Sequence, residues 1–161
     1  MQVKKHMSTP AITVRADSDY RTAFDVMREH SVHHLPVVNG DGQLVGIVAQ
    51  RDMLVAATRH QNAPVEMAEV MRRPVISTKA DLQIVEAARL MMNQKIGCLP
   101  VVDAEAKVVG VITESDLFEV FVRMLSSGSG QPAPAKRPVA KKPPARKAPR
   151  RAKAKKAARK R

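Results

Sequence analysis

The feature that most restricts what this chain can fold into is an internal repeat at a fixed offset of 64 residues. At that spacing Pro36 matches Pro100, Gly46 matches Gly110 and Asp52 matches Asp116. The same offset pairs Met7 with Met71, Pro10 with Pro74, Ile12 with Ile76, Asp17 with Asp81, Ala23 with Ala87 and Met27 with Met91. Leu35-Pro-Val-Val38 falls on Leu99-Pro-Val-Val102, and no gap is needed anywhere. Self-similarity at one period implies two units of equal length and equal architecture.

Each unit has the same internal order. A short Met/Pro segment leads into an extended stretch, Ala11–Val14 or Val75–Thr78. An Asp then precedes a helical pattern: Asp17 ahead of Tyr20, Ala23, Val26 and Met27, and Asp81 ahead of Ile84, Ala87, Ala88 and Met91. Apolar residues at i, i+3, i+4 and i+7 mark one buried helix face, and Asp is a favoured N-cap. Two apolar runs follow, Leu35–Val38 and Leu44–Val48, joined by Asn39-Gly-Asp-Gly42. That is a hairpin signature, because Gly and Asn tolerate positive φ. In the second unit Asp103-Ala-Glu-Ala106 holds the same place with poorer turn chemistry. Closing helices are predicted over Asp52–His60 and Asp116–Leu125. The predicted class is α+β, two βαββα repeats packed sheet against sheet around a shared core. One such unit of ~60 residues alone would bury too little surface to be stable. The expected boundaries are 1–62 and 63–125, with a Ser/Gly linker and tail over 126–161.

Charge separates the repeats from that tail. The chain carries a formal charge of +13, yet 14 of its Lys and Arg lie between Gln131 and Arg161, where no acidic residue occurs. The other 14 basic residues face 15 acidic ones, so the repeat region is nearly neutral. A segment made almost wholly of Ala, Pro, Lys and Arg cannot bury enough apolar surface to offset chain entropy, and disorder is expected for it. The lone Cys98 rules out an internal disulfide and fits a reducing compartment. No apolar run approaches the ~20 residues of a spanning helix, and the N-terminus lacks a secretory apolar region. The expectation is a soluble cytoplasmic protein without a membrane span.

Chemistry concentrates at Gly110-Val-Ile-Thr-Glu-Ser-Asp116, read as a buried strand breaking into a helix. Such a junction gathers backbone N–H groups, the Thr113 hydroxyl and the Asp116 carboxylate in one small space, at the positive end of a helix. The earlier copy, Gly46 to Asp52, has Ala49 where the second has Thr113. Asp52 and Asp116 would serve equally well as plain helix N-caps.

The paired His-Leu-Pro-Val-Val and Cys-Leu-Pro-Val-Val runs, the Gly-containing hairpin and the Gly-x-x-Thr-x-x-Asp ending resemble a tandem CBS-domain pair, a Bateman module, over about residues 1–125. Lys95 to Val102 and Gly110 to Phe118 are similar in particular to stand-alone, acetoin-utilisation-type CBS proteins. The resemblance implies a regulatory module that binds an adenosine-containing ligand, an adenine nucleotide or S-adenosylmethionine, between the repeats, and that pairs as a homodimer. Position by position, it implies that Asp116 holds the ribose and Thr113 the nearby phosphate edge. Ser77 and Thr78 would meet the adenine, Ile76 and Ile112 would sandwich it, and Ile96 to Leu99 would close the wall. Arg51, Asp52 and His34 would form a weaker second cleft, empty or suited to a different phosphate geometry. One functional site per chain is the expectation.

Of the consecutive His33 and His34, strand alternation turns one inward and one outward; a pH or phosphate role is open beside a structural one. The histidines show no metal-ligand spacing, so no metal or required cofactor is expected. No partnered nucleophile, paired carboxylates or phosphate-cradling Gly-rich loop point to catalysis. The tail is similar to those of linker histones. Its Lys136, Arg137, Lys141, Lys142, Arg146, Lys147, Arg150, Arg151, Lys153, Lys155, Lys156, Arg159, Lys160 and Arg161 are candidates for nonspecific DNA or RNA binding through phosphates. No aromatics interleave them, so base stacking is excluded. Alternatives are a subunit docking on an enzyme or transporter, and a dimeric scaffold for a DNA-packaging tail.

Overall fold

A computed structural model describes residues 1–59 and 64–126. The chain opens with a 3-10 turn, Val3–Lys5, followed by β1 (Val14–Arg15), α1 (Tyr20–His30), β2 (His34–Val38), β3 (Leu44–Ala49) and α2 (Gln50–Arg59). The second repeat supplies α3 (Met67–Val70), α4 (Ile84–Gln94), β4 (Cys98–Val102), β5 (Val108–Thr113) and α5 (Glu114–Ser126). β1 runs parallel to β2, and β2 pairs antiparallel with β3. β4 and β5 form the matching hairpin, with the first strand of that unit reduced to one parallel bridge, Thr78 to Val101.

The hairpins form where the sequence predicts them. Asn39 Oδ1 accepts hydrogen bonds from the Asp41 and Gln43 backbone N–H groups, and Gly42 takes φ +81°. Asp103 Oδ1 does the same for Glu105 and Lys107, but the positive φ, +61°, falls on Ala106, where an L side chain is disfavoured. The hairpin tips then meet each other: Leu44 N–H donates to Ala106 O at 2.9 Å, and Val108 N–H to Gly42 O at 3.3 Å.

The expected single core is two buried clusters, and the leading segments cross between them. Val3, fully buried, packs with Ile84, Ala87, Met91, Leu99, Val101, Ile112 and Val120 of the second repeat. Its counterpart Met67, on α3, packs with Tyr20, Ala23, Met27, Leu35, Val37, Val48 and Met53 of the first. Burying a Val or Met side chain contributes about 1.5–3 kcal/mol. The backbone crosses in the same way. Val3 N–H reaches Leu82 O and Lys4 N–H reaches Ala80 O, each at 2.9 Å; Met67 N–H reaches Ser18 O and Ala68 N–H reaches Ala16 O, each at 2.9 Å.

This exchange explains where the first helices start. Asp17 does not cap α1; it pairs with Arg15 at 2.8 Å, and Asp19 Oδ1 accepts from Arg21 N–H instead. Asp81 does not cap α4 either: the N-cap is Gln83, whose side chain makes no cap bond. The orphan N–H groups at the helix starts are met by the exchanged segments, Tyr20 N–H by Val65 O and Ile84 N–H by Met1 O. Each segment ends at a cis bond, Thr9–Pro10 and Arg73–Pro74.

The repeated Met and Gly residues are one contact. A methyl group built on Gly46 would stand 2.1 Å from Met71 Sδ, and one on Gly110 would stand 2.7 Å from Met7 Sδ and 3.0 Å from Ser8 O. Each exchanged Met therefore lies on a strand that has no side chain to obstruct it.

Candidate functional site: two clefts between the repeats

Two cavities open where the exchanged segments pass the strand-to-helix junctions. The first, about 580 Å³, lies between β3 and the start of α2 on one side and residues 72–76 on the other; residues 95–98 and Glu114 complete it. The second, about 740 Å³, lies between β5 and the start of α5 on one side and residues 8–12 on the other, completed by residues 29–34 and 97–98. The offset of 64 carries one lining onto the other almost residue for residue. Ile47, Pro74, Ile76, Ile96 and Asp52 of the first become Val111, Pro10, Ile12, Val32 and Asp116 of the second.

The aspartates are not N-caps. Both closing helices begin two residues earlier than predicted, at Gln50 and Glu114, so Asp52 and Asp116 sit at the third helical position. Asp116 Oδ2 accepts from the Thr113 N–H and from the Thr113 hydroxyl, each at 2.8 Å, and Asp116 N–H lies 3.4 Å from that hydroxyl oxygen. This is a reciprocal capping box with Asp in the third position. In the first cleft Ala49 leaves half of it, Ala49 N–H to Asp52 Oδ2 at 2.9 Å. Asp52 Oδ1 is taken by Arg72 Nη2 at 3.0 Å, while among the described residues nothing bonds Asp116 Oδ1. Asp116 thus keeps a free acceptor beside the cavity, and Asp52 is paired.

The residues expected to form one site divide among several places. Thr113 and Asp116 line the second cleft, whereas Ile76 and Ile96 line the first together with Arg51 and Asp52. His34 lines both. Ser77 and Thr78 line neither; Thr78 is buried, its backbone bridging Pro100 and Val102. Leu99 and Ile112 are fully buried partners in the β4–β5 hairpin and face the core. The expected grouping fails because each cleft joins a junction of one repeat to the leading segment of the other. The sequence reading passed over Ser8, Ile12, Glu29, Arg72, Lys95 and Glu114. Of these, the offset of 64 points only to Ile12, the counterpart of Ile76; the others come to the clefts through the exchange of leading segments and the turns beside the junctions.

Burial, His33 and the Arg51 guanidinium together hold the His34 imidazole below its usual pKa, against the pull of Asp52 and Glu114. His33 is exposed, with Nδ1 2.8 Å from Gln50 Oε1. Burial, reinforced by the Asp116 charge, pushes the Cys98 thiol up to about 12, so it stays protonated. Among the described residues no cluster of His, Cys, Asp or Glu could hold a metal ion, and no helix is long and apolar enough to cross a membrane. The predicted nucleic-acid contacts, Lys136 to Arg161, lie outside the described residues.

The CBS domain family matches this chain twice, over residues 3–59 and 67–123. The chain belongs to the CBS domain family. A CBS domain-containing protein of Dictyostelium discoideum is 30% identical over 134 residues, covering 76% of this chain and 92% of the relative. Among solved structures, a CBS domain pair in complex with 5′-methylthioadenosine and S-adenosyl-L-methionine is 32% identical, with a TM-score of 0.71 over 77% of this chain and 98% of that one. A Vibrio cholerae protein described as an acetoin utilization protein is 31% identical, with a TM-score of 0.73 over 82% of this chain and 98% of that one. The acetoin-type likeness is therefore matched by a structural neighbour.

Proposed function

We propose that this CBS pair is a regulatory module whose clefts bind adenosine-containing ligands, an adenine nucleotide or S-adenosylmethionine, and that it transmits occupancy to a partner rather than catalysing a reaction. The observation that carries this reading is the second cleft. It combines an Asp carboxylate with one free oxygen, a capped helix start and apolar walls from Ile12 and Val32. A CBS pair 32% identical was solved with two adenosine compounds. An ionised carboxylate accepts from both ribose hydroxyls, and the apolar walls suit a purine face. Occupancy regulates only if the ligand binds two states of the module unequally.

The working form we propose is a homodimer, because α5 leaves Phe118, Phe121, Val122, Met124 and Leu125 exposed, and α4 leaves Val85 and Met92. An apolar patch of that kind marks an association surface. The unmatched charge of residues 131–161 supports a second activity, nonspecific binding of nucleic acid, whose affinity would fall linearly in log salt and vanish when the tail is deleted.

The test is thermal unfolding of the full chain with AMP, ADP, ATP, S-adenosylmethionine and 5′-methylthioadenosine. A ligand at about 100 times its Kd stabilises by about 2.7 kcal/mol. A shift with at least one, weakened in Asp116→Asn or in a first-cleft variant, supports the reading. The same melting point with all of them rejects it and leaves the pair as a scaffold.

A further inference from the structure

We infer that the two clefts are chemically opposite: the first takes the phosphate-bearing ligand, and the second excludes phosphate and takes an adenosine whose 5′ substituent is neutral or cationic. This rests on the proposed binding of adenosine compounds and reverses the ranking expected from the sequence, where the Thr113 cleft held the phosphate edge.

Every cation of the first cleft is a serine in the second. Arg51 becomes Ser115, Arg72 becomes Ser8, and Lys95 becomes Ser31. The substitutions continue in the other direction, for Gln50 of the first cleft becomes the carboxylate Glu114. The second cleft also gains Glu29, whose counterpart is Asn93. The first cavity therefore gathers Arg51, Arg72 and Lys95 against Asp52 and Glu114. The second gathers Glu29, Glu114 and Asp116 beside His30 and the His33 and His34 that both clefts share, with no Lys or Arg.

Geometry sharpens the division. Arg72 is held on Asp52 at 3.0 Å, which among the described residues leaves Arg51 and Lys95 as the first cleft's cations without an ion pair. Lys95 sits in the left-handed conformation, φ 53°, that ends α4, and Ser31 ends α1 in the same way at φ 54°. The two side chains are thus carried by equivalent backbone, so the charge difference is a choice of residue and not of fold. Guanidinium and ammonium groups beside a helix start are a phosphate site, whereas three carboxylates in a cavity repel a dianion and attract a sulfonium or ammonium.

The experiment is titration calorimetry of the full chain with AMP and with S-adenosylmethionine, on the wild type and on Arg51→Ser/Lys95→Ser. That variant gives the first cleft the residues of the second; Arg72 is kept to preserve its ion pair. The expected result is AMP affinity lowered about tenfold or more with S-adenosylmethionine affinity unchanged. In the converse variant, Ser115→Arg/Ser31→Lys, S-adenosylmethionine should weaken by a similar factor and a second equivalent of AMP should bind. Equal AMP affinity in wild type and Arg51→Ser/Lys95→Ser, with melting curves unchanged, overturns the charge division but leaves ligand binding standing. Binding of neither ligand to the wild type overturns the proposed function itself.

Discussion

The two clefts occupy equivalent frames and share little chemistry, and the contrast separates what the repeat preserves from what it leaves free. Positions that hold the frame are the same in both copies: Met on Gly, the Pro after each exchanged segment, the Asp in the third position of the closing helix. Positions that only face the cavity differ at nearly every polar residue, Arg51 against Ser115 and Lys95 against Ser31 among them. Packing density punishes a change in the first group and is indifferent to the second.

Breaking the shared frame should have the largest effect. Gly46→Ala and Gly110→Ala each drive a methyl group into an exchanged Met, and each should cost about 1–3 kcal/mol by urea unfolding. Gly40→Ala meets nothing within 4 Å and is the control. Losses confined to one of the two glycines would mean that the two units are not locked in the same way.

A smaller effect would sharpen the asymmetry of the junctions. Thr113→Ala should cost about 1 kcal/mol by removing the capping hydroxyl, and Ala49→Thr should gain a comparable or smaller amount by supplying it. The two changes together should leave a first junction more stable than the second. If Ala49→Thr gives no gain, Asp52 is held by Arg72 too firmly to complete the box.

The smallest effect expected is one of pH. The folded-state pKa of His34 is depressed below its ordinary 6.5, so below that pH the unfolded chain takes up a proton that the folded chain resists. The His34 contribution is fully present above about pH 6.5 and is lost as pH falls from there through the lower folded-state pKa. His34→Asn should flatten that part of the stability profile, measured by denaturant unfolding at several pH values. An unchanged profile would mean that His34 titrates alike in both states.

Much of this was legible in the sequence, and what was not has a physical reason. Both hairpins and four of the helices follow from apolar periodicity and turn residues, because those signals are local. The exchange of leading segments was not legible. Met7 and Met71 carry the same side chain, and Gly46 and Gly110 offer the same vacancy, so the sequence is silent on which Met docks on which Gly. The error in grouping the site residues follows directly. The resemblance groups Ile76 with Thr113, whereas Ile76 lines one cleft with Asp52 and Ile12 lines the other with Thr113. The capping error is different in kind: Asp at the first or third helical position gives the same sequence, and only the hydrogen-bond direction decides.

The crossed segments also set an order of events at the ribosome. Met1, Val3 and Lys4 are made well before their partners Ile84, Leu82 and Ala80, which emerge only several seconds later at roughly 5–20 residues per second. The first unit, in turn, cannot close until Met67 and Met71 have followed it out. Neither half matures alone on the growing chain, and a truncated product ending at the first helix pair would present an open seat to the leading segment of any neighbouring copy.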